Sequence, residues 1–430
     1  MSRARNLLFI ILLTSGPIVP SAARAAEPRT LTLDEALAAL DRQSPDLAQL
    51  RAHVDAVASV AREALSALLP GLVAMGSYAR NRDDARFAGP TGDIVIQPQQ
   101  ALTVAGTVHV PLFAQNAYWD FAQARDLTMA EGASFQAQRQ RLRGAVVQAC
   151  WMEQTAENVI AVAERGLASA RDHAESAERA EKAGTTTKLA VLQARSELTR
   201  REKDLTEARS ALGHSRIELG ALLGRPEPTR VVMPTVTDDG SSDEEQLVND
   251  ALHARRERAA RALELRAAER GVTSAWMRLA PGLSGSFSWF ASDEPYVTGK
   301  KDGWRASIDL AWALYDGGYR YGKRREADAF VAAARAQAEA TRVDISKEVR
   351  DSALEVGVAR ERLRVATEQA AVAEETAGTA RRGFAAGVST SLDVIDALDR
   401  ETQAEVGLEQ ARAGLGRALA ALHTARGLDW

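Results

Sequence analysis

Four short segments of the chain alternate large apolar residues with small or polar ones, which predicts β-strands with one apolar face. The clearest are residues 282–291 and 303–315, and weaker counterparts lie near residues 71–80 and 101–113. Alternation over about 10 residues is typical of a membrane barrel with lipid outside and water inside. Two hairpins packed on a soluble core are the alternative. The apolar positions predicted to face lipid are Leu283, Phe287, Trp289, Trp304, Ile308, Leu310 and Trp312.

Two proline-free stretches, residues 113–184 and 315–387, follow the two predicted strand pairs. Helices of about 70 residues would run roughly 100 Å, which is longer than a globular core can use. In the second stretch apolar and small residues recur every three or four positions, which predicts a coiled-coil seam with close helix approach. The seam positions are Val349, Ala353, Val356, Ala359, Leu363, Ala366, Ala370, Ala373, Ala377, Ala380 and Phe384.

The two halves of the chain match at several places in the same order. Residues 69–72 (LPGL) correspond to residues 280–283 (APGL), and GTTTKLAVL from Gly184 corresponds to GVSTSLDVI from Gly387. Each half reads as helix, strand, strand, long helix, turn, helix. We therefore predict an internal two-fold repeat, with one copy in residues 26–235 and the other in residues 236–430. A connector with three prolines followed by polar residues, at residues 226–242, joins them.

Residues 1–25 have the form of a cleaved export signal. Arg3 and Arg5 precede a short apolar run at residues 7–13, and Ala23 and Ala25 flank a small-residue cleavage site. The only cysteine, Cys150, lies far from that site, so no lipid anchor is predicted. No later stretch is apolar over the roughly 18 residues that a transmembrane helix requires.

Charge and composition exclude several function classes. The 58 acidic and 54 basic residues nearly balance, which gives no argument for a nucleic-acid partner. The six histidines have no metal-ligand spacing. The chain has neither a glycine-rich phosphate loop nor a nucleophile elbow. We predict no enzyme, no cofactor and no metal site.

Four strands cannot close a barrel alone, because an open sheet edge in lipid leaves backbone groups unpaired. Closed barrels start near eight strands, and a wide water-filled lumen takes about twelve or more. Several chains must therefore share one barrel if the strands lie in a membrane. Two chains would give a filled barrel and three a pore, and the pattern leaves both open.

The two turns after the long helices combine glycine with hydroxyl residues. Glycine can end a helix in the left-handed conformation, and Ser or Thr can cap the next helix. Asp393 and Asp396 then share one face near a helix N-terminus, where acids favour the helix dipole. The turn residues are Gly184, Thr185, Thr186, Thr187, Gly387, Val388, Ser389 and Thr390.

An ordered set of short motifs resembles the TolC family of outer-membrane efflux proteins over nearly all of the mature chain. LTLDEA at residues 31–36 with SPDL at residues 44–47 is similar to the family's opening helix. LLPGL at residues 68–72 resembles its run into the first strand. LYDGG at residues 314–318 resembles its strand-to-helix junction, from which AQN at residues 114–116 departs.

The resemblance implies a mixed α+β membrane protein, a homotrimer with a shared twelve-stranded β-barrel and a periplasmic α-barrel of long coiled-coil helices. It implies a location in the bacterial outer membrane, in contact with outer-membrane lipid. It also implies a passive exit duct for efflux or secretion that docks to a periplasmic adaptor (membrane fusion) protein and an inner-membrane transporter. The alternative is a periplasmic coiled-coil scaffold or adaptor without a pore.

The resemblance also assigns roles to the turns. It implies that both turns dock the adaptor and that Asp393 and Asp396 ring the constricted end of the tunnel, with Phe384 close by. The family's best-known gate has an aspartate, a tyrosine and an arginine where this chain has Ala190, Phe384 and Ser389. We therefore expect the closed state to be held in a different way.

Overall fold

The computed structural model describes residues 29–89, 92–233, 243–293 and 300–430. The predicted export signal lies outside these residues, as does most of the predicted connector. Eight helices and eight strands occur in the described part of the chain. In chain order they are β1 (Arg29–Thr32), α1 (Leu33–Gln43), α2 (Pro45–Ser66), β2 (Gly71–Arg80), β3 (Ala85–Gly89), β4 (Gly92–Gln97), β5 (Gln100–Phe113), α3 (Ala117–Lys182), α4 (Lys188–Leu222), β6 (Thr229–Val232), α5 (Glu244–Ala254), α6 (Arg256–Met277), β7 (Gly282–Ser292), β8 (Asp302–Ala311), α7 (Tyr319–Ala385) and α8 (Ser391–Ala425).

The prediction of two very long helices is confirmed. Helix α3 has 66 residues and α7 has 67, and each turns back into a partner of 35 residues, α4 or α8. We call α3 with α4 the first hairpin and α7 with α8 the second hairpin. Shorter α6 packs against both α3 and α7 and so links the hairpins nearer the sheet.

The predicted seam of α7 packs mainly on α8. Val356 and Ala359 form one apolar cluster with Ala418, and Ala377 forms another with Val394. Most of the remaining seam positions are partly buried. Alanine at the contact brings the two backbones close together, so a long, thin wall of helices buries its apolar face without a globular core.

The four predicted membrane strands form one antiparallel sheet in the order β2-β5-β7-β8. The register places Phe287 opposite Ala306 and Trp289 opposite Trp304 on one face. On the other face, serine and threonine hydroxyls pair across the strands, as between Thr107 and Ser288 at 3.0 Å. The sheet therefore has one apolar and one largely polar face. Strand β8 ends at Ala311, so the predicted strand near residues 303–315 is too long.

Two short strand pairs were not predicted. Strands β1 and β6 pair in parallel, which joins the first described residues to the segment predicted as a connector. Strands β3 and β4 form a hairpin between β2 and β5, where no strand was predicted. The motif at residues 31–36 covers the end of β1 and the start of α1, which begins at Leu33 with Thr32 as its cap. Four-residue strands are too short to show a periodic pattern.

A compact core lies where these short strands meet the long helices. Leu37 and Leu40 of α1, Val146 of α3, Leu219 of α4 and Val231 of β6 share one buried cluster. It packs the middle of α3 and the end of α4 against the first described residues. The turns at the far ends of the two hairpins lie outside this cluster.

Candidate functional site

Both hairpins end in turns that only glycine makes without strain. Gly184 has φ 74° and Gly387 has φ 76°, in the left-handed region. The amide of Thr185 donates to the carbonyl of Ala180 at 2.9 Å, and Val388 donates to Gly383 at 2.9 Å. The glycine C-caps predicted from the sequence are confirmed. We call residues 184–187 the first tip and residues 387–390 the second tip.

The last residue of each tip caps the next helix. Thr187 accepts a hydrogen bond from the amide of Ala190 at 3.3 Å. Thr390 accepts from the amide of Asp393 at 3.2 Å, and the Asp393 carboxylate accepts in return from the Thr390 amide at 2.8 Å. This capping box lowers the pKa of Asp393, chiefly through the hydrogen bond from the Thr390 hydroxyl. The carboxylate therefore stays charged at neutral pH.

Asp393 and Asp396 point away from the packed side of α8. Both side chains are exposed, whereas Val394 and Ala397 beside them are buried against α7. Capping alone accounts for Asp393, since that residue closes the first turn of the helix. Capping does not account for Asp396, which lies three residues further along the same exposed face of α8. Helix α4, which follows the first tip, has uncharged Ala190 and Gln193 at the corresponding positions.

Phe384, predicted at the constriction, lies half-buried between the two hairpins. Its ring contacts a cluster around Ala177 and Val191 of the first hairpin and a second cluster around Val394. It also meets the imidazole of His173 edge-on, with 5.0 Å between ring centroids. The aromatic ring thus joins the two hairpins just before the tips.

A cavity of about 710 Å³ lies between the two tips. Most of its polar lining is uncharged, and Arg179 is the one charged residue among the lining residues described. The hydroxyl groups at its wall belong to Ser176, Thr185, Thr186, Thr187, Ser389, Thr390 and Ser391.

The strand residues predicted to face lipid are brought together on the apolar face of the sheet. Trp304, Ile308 and Leu310 are exposed by 69%, 74% and 67%. Phe287 stacks on Trp304 at 6.1 Å, and Leu283 is partly buried beside Leu310. Trp312 follows the strand, and its indole donates to the carbonyl of Leu279 at 3.1 Å.

Contacts between the hairpins near the tips were not predicted. His173 of α3 lies 3.0 Å from the hydroxyl of Ser391 in α8. Arg200 and Arg201 of α4 bind Asp399 of α8 at 2.6 and 3.0 Å. The only signal in the sequence is at His173, which stands among Ala170, Ala174 and Ala177 at the spacing of one helix face, where a polar residue is unusual.

None of the helices in the described residues is both long enough and apolar enough to span a bilayer. The fold is that of outer-membrane channels of known structure. The Vibrio cholerae outer membrane protein VceC superposes with a TM-score of 0.78 at 19% identity, over 92% of this chain and 96% of that one. The open-state MtrE channel of Neisseria gonorrhoeae gives 0.77 at 17% identity, over 92% and 89%. CusC gives 0.79 at 17% identity, over 92% of each chain.

The family follows from the sequence itself. Residues 36–225 and 247–428 match the profile of the family described as outer membrane efflux protein, and the chain belongs to that family. The resemblance to TolC-type channels is thereby confirmed, and the family and fold are those of channel proteins. Protein CyaE of Bordetella pertussis is 32% identical over 123 residues, which is 29% of this chain and 26% of that protein.

Proposed function

We propose that the protein is the passive outer-membrane exit duct of a tripartite efflux or secretion system. The observation that carries the proposal is a single protomer with an exposed apolar sheet face at one end and two exposed, capped tips at the other, joined by helices of 66 and 67 residues. A wall element of this form suits a tunnel that crosses the outer membrane and continues through the periplasm.

The sheet supports assembly into a homotrimer. Strands β2 and β8 are its two edges, and an open edge in lipid leaves backbone groups without partners. Three copies of four strands make a twelve-stranded barrel, wide enough for a water-filled lumen. Leu283, Phe287, Trp289, Trp304, Ile308, Leu310 and Trp312 would face the lipid.

Helix α7 supports the same assembly from below the membrane. Apolar side chains stay exposed along one protomer's α7 at intervals of 11, 11 and 7 residues, each of which returns to nearly the same face of a helix. A neighbouring copy would cover them. They are Val343, Leu354, Val365 and Val372.

The tips support docking to a periplasmic adaptor, with an inner-membrane transporter beyond it as the source of energy. The cavity between them is lined largely by neutral polar side chains, which can form hydrogen bonds with the end of a helical hairpin of the partner. Asp393 and Asp396 would place six carboxylates around the trimer axis, with Phe384 behind them, and so form a cation-selective constriction.

We further propose that residues 1–25 are removed on export, that no lipid is attached, and that residues 26–235 and 236–430 are the two repeats.

A periplasmic scaffold without a pore is the second candidate. A scaffold would share the long hairpins. The exposed Trp304, Ile308 and Leu310 argue against it, because a soluble protein rarely exposes an apolar patch of this kind.

Planar-bilayer recording tests the proposed duct. We expect the purified full-length protein to insert and to give discrete channel currents that favour cations over anions. A protein that leaves the bilayer resistance unchanged, while folded by circular dichroism, would favour the scaffold instead.

A further inference from the structure

One buried polar contact holds the second tip against the first hairpin. His173 of α3 is 6% exposed, and its Nε2 lies 3.0 Å from the hydroxyl of Ser391, the first residue of α8. The same hydroxyl lies 3.4 Å from the carbonyl of Ala190 in α4. Phe384 of α7 packs against the imidazole. One imidazole and one hydroxyl thus bring together all four helices that carry the tips.

Burial, and not the hydrogen bond, disfavours a charged imidazole at this place. The Ser391 hydroxyl can donate its hydrogen to the Ala190 carbonyl and accept one from Nε2, so this bond can form in either protonation state. Helix α7 presents the aromatic ring of Phe384 to the imidazole, and α8 presents the hydroxyl of Ser391. A charge at this position would be buried with little to balance it.

The buried carboxylate that acts on this imidazole is already bound by two arginines. Glu197 of α4 acts on the imidazole, but Arg200 and Arg201 bind it at 2.8 and 2.7 Å. Burial lowers the pKa of His173 despite the opposing effects of Ser391 and Glu197. The other charged residues that flank the contact are exposed: Asp172 and Glu175 on α3, Lys188 on α4, Arg381 and Arg382 on α7, and Asp393 on α8.

We propose that His173 is the positioning residue that holds the second tip against the first hairpin, and that protonation of its imidazole releases that tip. The proposal rests on the proposed function, since release of a tip opens the duct only if the tips close it.

The direction of the pH dependence follows from the two environments of the ring. A released His173 would titrate near the ordinary pKa of about 6.5, and the packed ring titrates lower because it is buried. The packed arrangement is therefore fully favoured above about pH 6.5 and loses its advantage as the pH falls through that value towards the lower pKa. Each unit between the two pKa values raises the released-to-packed ratio up to about tenfold.

Release is expected to be local. Asp399, which binds Arg200 and Arg201, lies eight residues beyond Ser391, or about 12 Å along α8. These ion pairs do not include His173, and they hold the hairpins together above the tips. Protonation would therefore free the second tip and leave the rest of the wall intact.

Spin labels at the tips test the proposal in the full-length protein. Thr185→Cys and Val388→Cys place labels on two exposed tip residues, and pulsed electron resonance measures the distance between them. Cys150 is buried and burial raises the pKa of its thiol to about 12, so it should stay unlabelled, which the protein without added cysteines checks. Between about pH 7.5 and pH 5, we expect a longer distance to gain population by up to about tenfold per pKa unit.

Two variants make the test specific. His173→Gln cannot be protonated and should remove the pH response, whereas His214→Gln, which changes an exposed histidine of α4, should keep it. Ser391→Ala removes the partner of His173, so the longer distance should already be populated at about pH 7.5. Equal distances at both pH values in the unmodified chain, or a response that survives His173→Gln, would overturn the proposal.

Planar-bilayer recording separates this outcome from failure of the duct. A distance change in a protein that forms no channel contradicts the proposed function and supports the contact at His173. Channels whose tips keep the same distance at both pH values support the duct and contradict the role of His173.

Discussion

Leu310→Arg is expected to remove most of the assembled protein from the outer membrane. The side chain is 67% exposed on the apolar face of β8, opposite Leu283 of β7. An arginine facing lipid near the bilayer midplane costs about 2–4 kcal/mol. A trimer would carry three such residues, so the total cost exceeds what a marginally stable assembly tolerates. The amount of protein in washed outer membranes measures the effect.

Asp309→Arg is the matched control for that variant. Asp309 precedes Leu310 but belongs to the opposite face of the sheet, where the Ser307 hydroxyl donates to it at 2.9 Å. An arginine there would face water, as Arg305 does, and should assemble at close to the normal level. If both variants assemble equally well, the apolar face of the sheet is not in lipid.

Asp393→Asn with Asp396→Asn is expected to lower the preference for cations by roughly tenfold, because clustered charge changes local ion concentrations by about that factor or more. Asparagine keeps an oxygen that can accept from the Thr390 amide, so the cap of α8 survives. The ratio of potassium to chloride permeability in planar bilayers measures the change.

Glu202→Gln with Glu207→Gln provides the control for this pair. It removes the same number of carboxylates from exposed sites on α4. We expect those channels to keep the selectivity of the unmodified protein. A double aspartate variant with unchanged selectivity would show that Asp393 serves only as a cap and that Asp396 lies away from the ion path.

The long helices and the main sheet could be predicted from the sequence because each has a strong, regular signal. Freedom from proline extended over the whole of α7, and the small-residue seam over its second half, from Val349 to Phe384. Alternation located β5, β7 and β8, although the end of β8 was placed too late. Strands β1 and β6 escaped notice because four residues cannot establish a period, and their pairing depends on contacts across 200 residues of chain.

The turns at the tips could be predicted from the sequence, but the contacts between the tips could not. The helix caps depend on local sequence, so Gly184, Gly387 and Thr390 were enough to predict the turns. The contact of His173 with Ser391 joins residues 218 positions apart and exists only once the hairpins lie side by side. A match between the two halves aligns equivalent residues, but it does not show which of them touch.

The native mass of the protein extracted by detergent from washed outer membranes tests the central claim most directly. The account predicts a stable trimer, in which three four-stranded sheets share one closed barrel. A monomer or dimer recovered from the soluble periplasmic fraction would contradict it, because the exposed face of β7 and β8 would then lie outside any membrane.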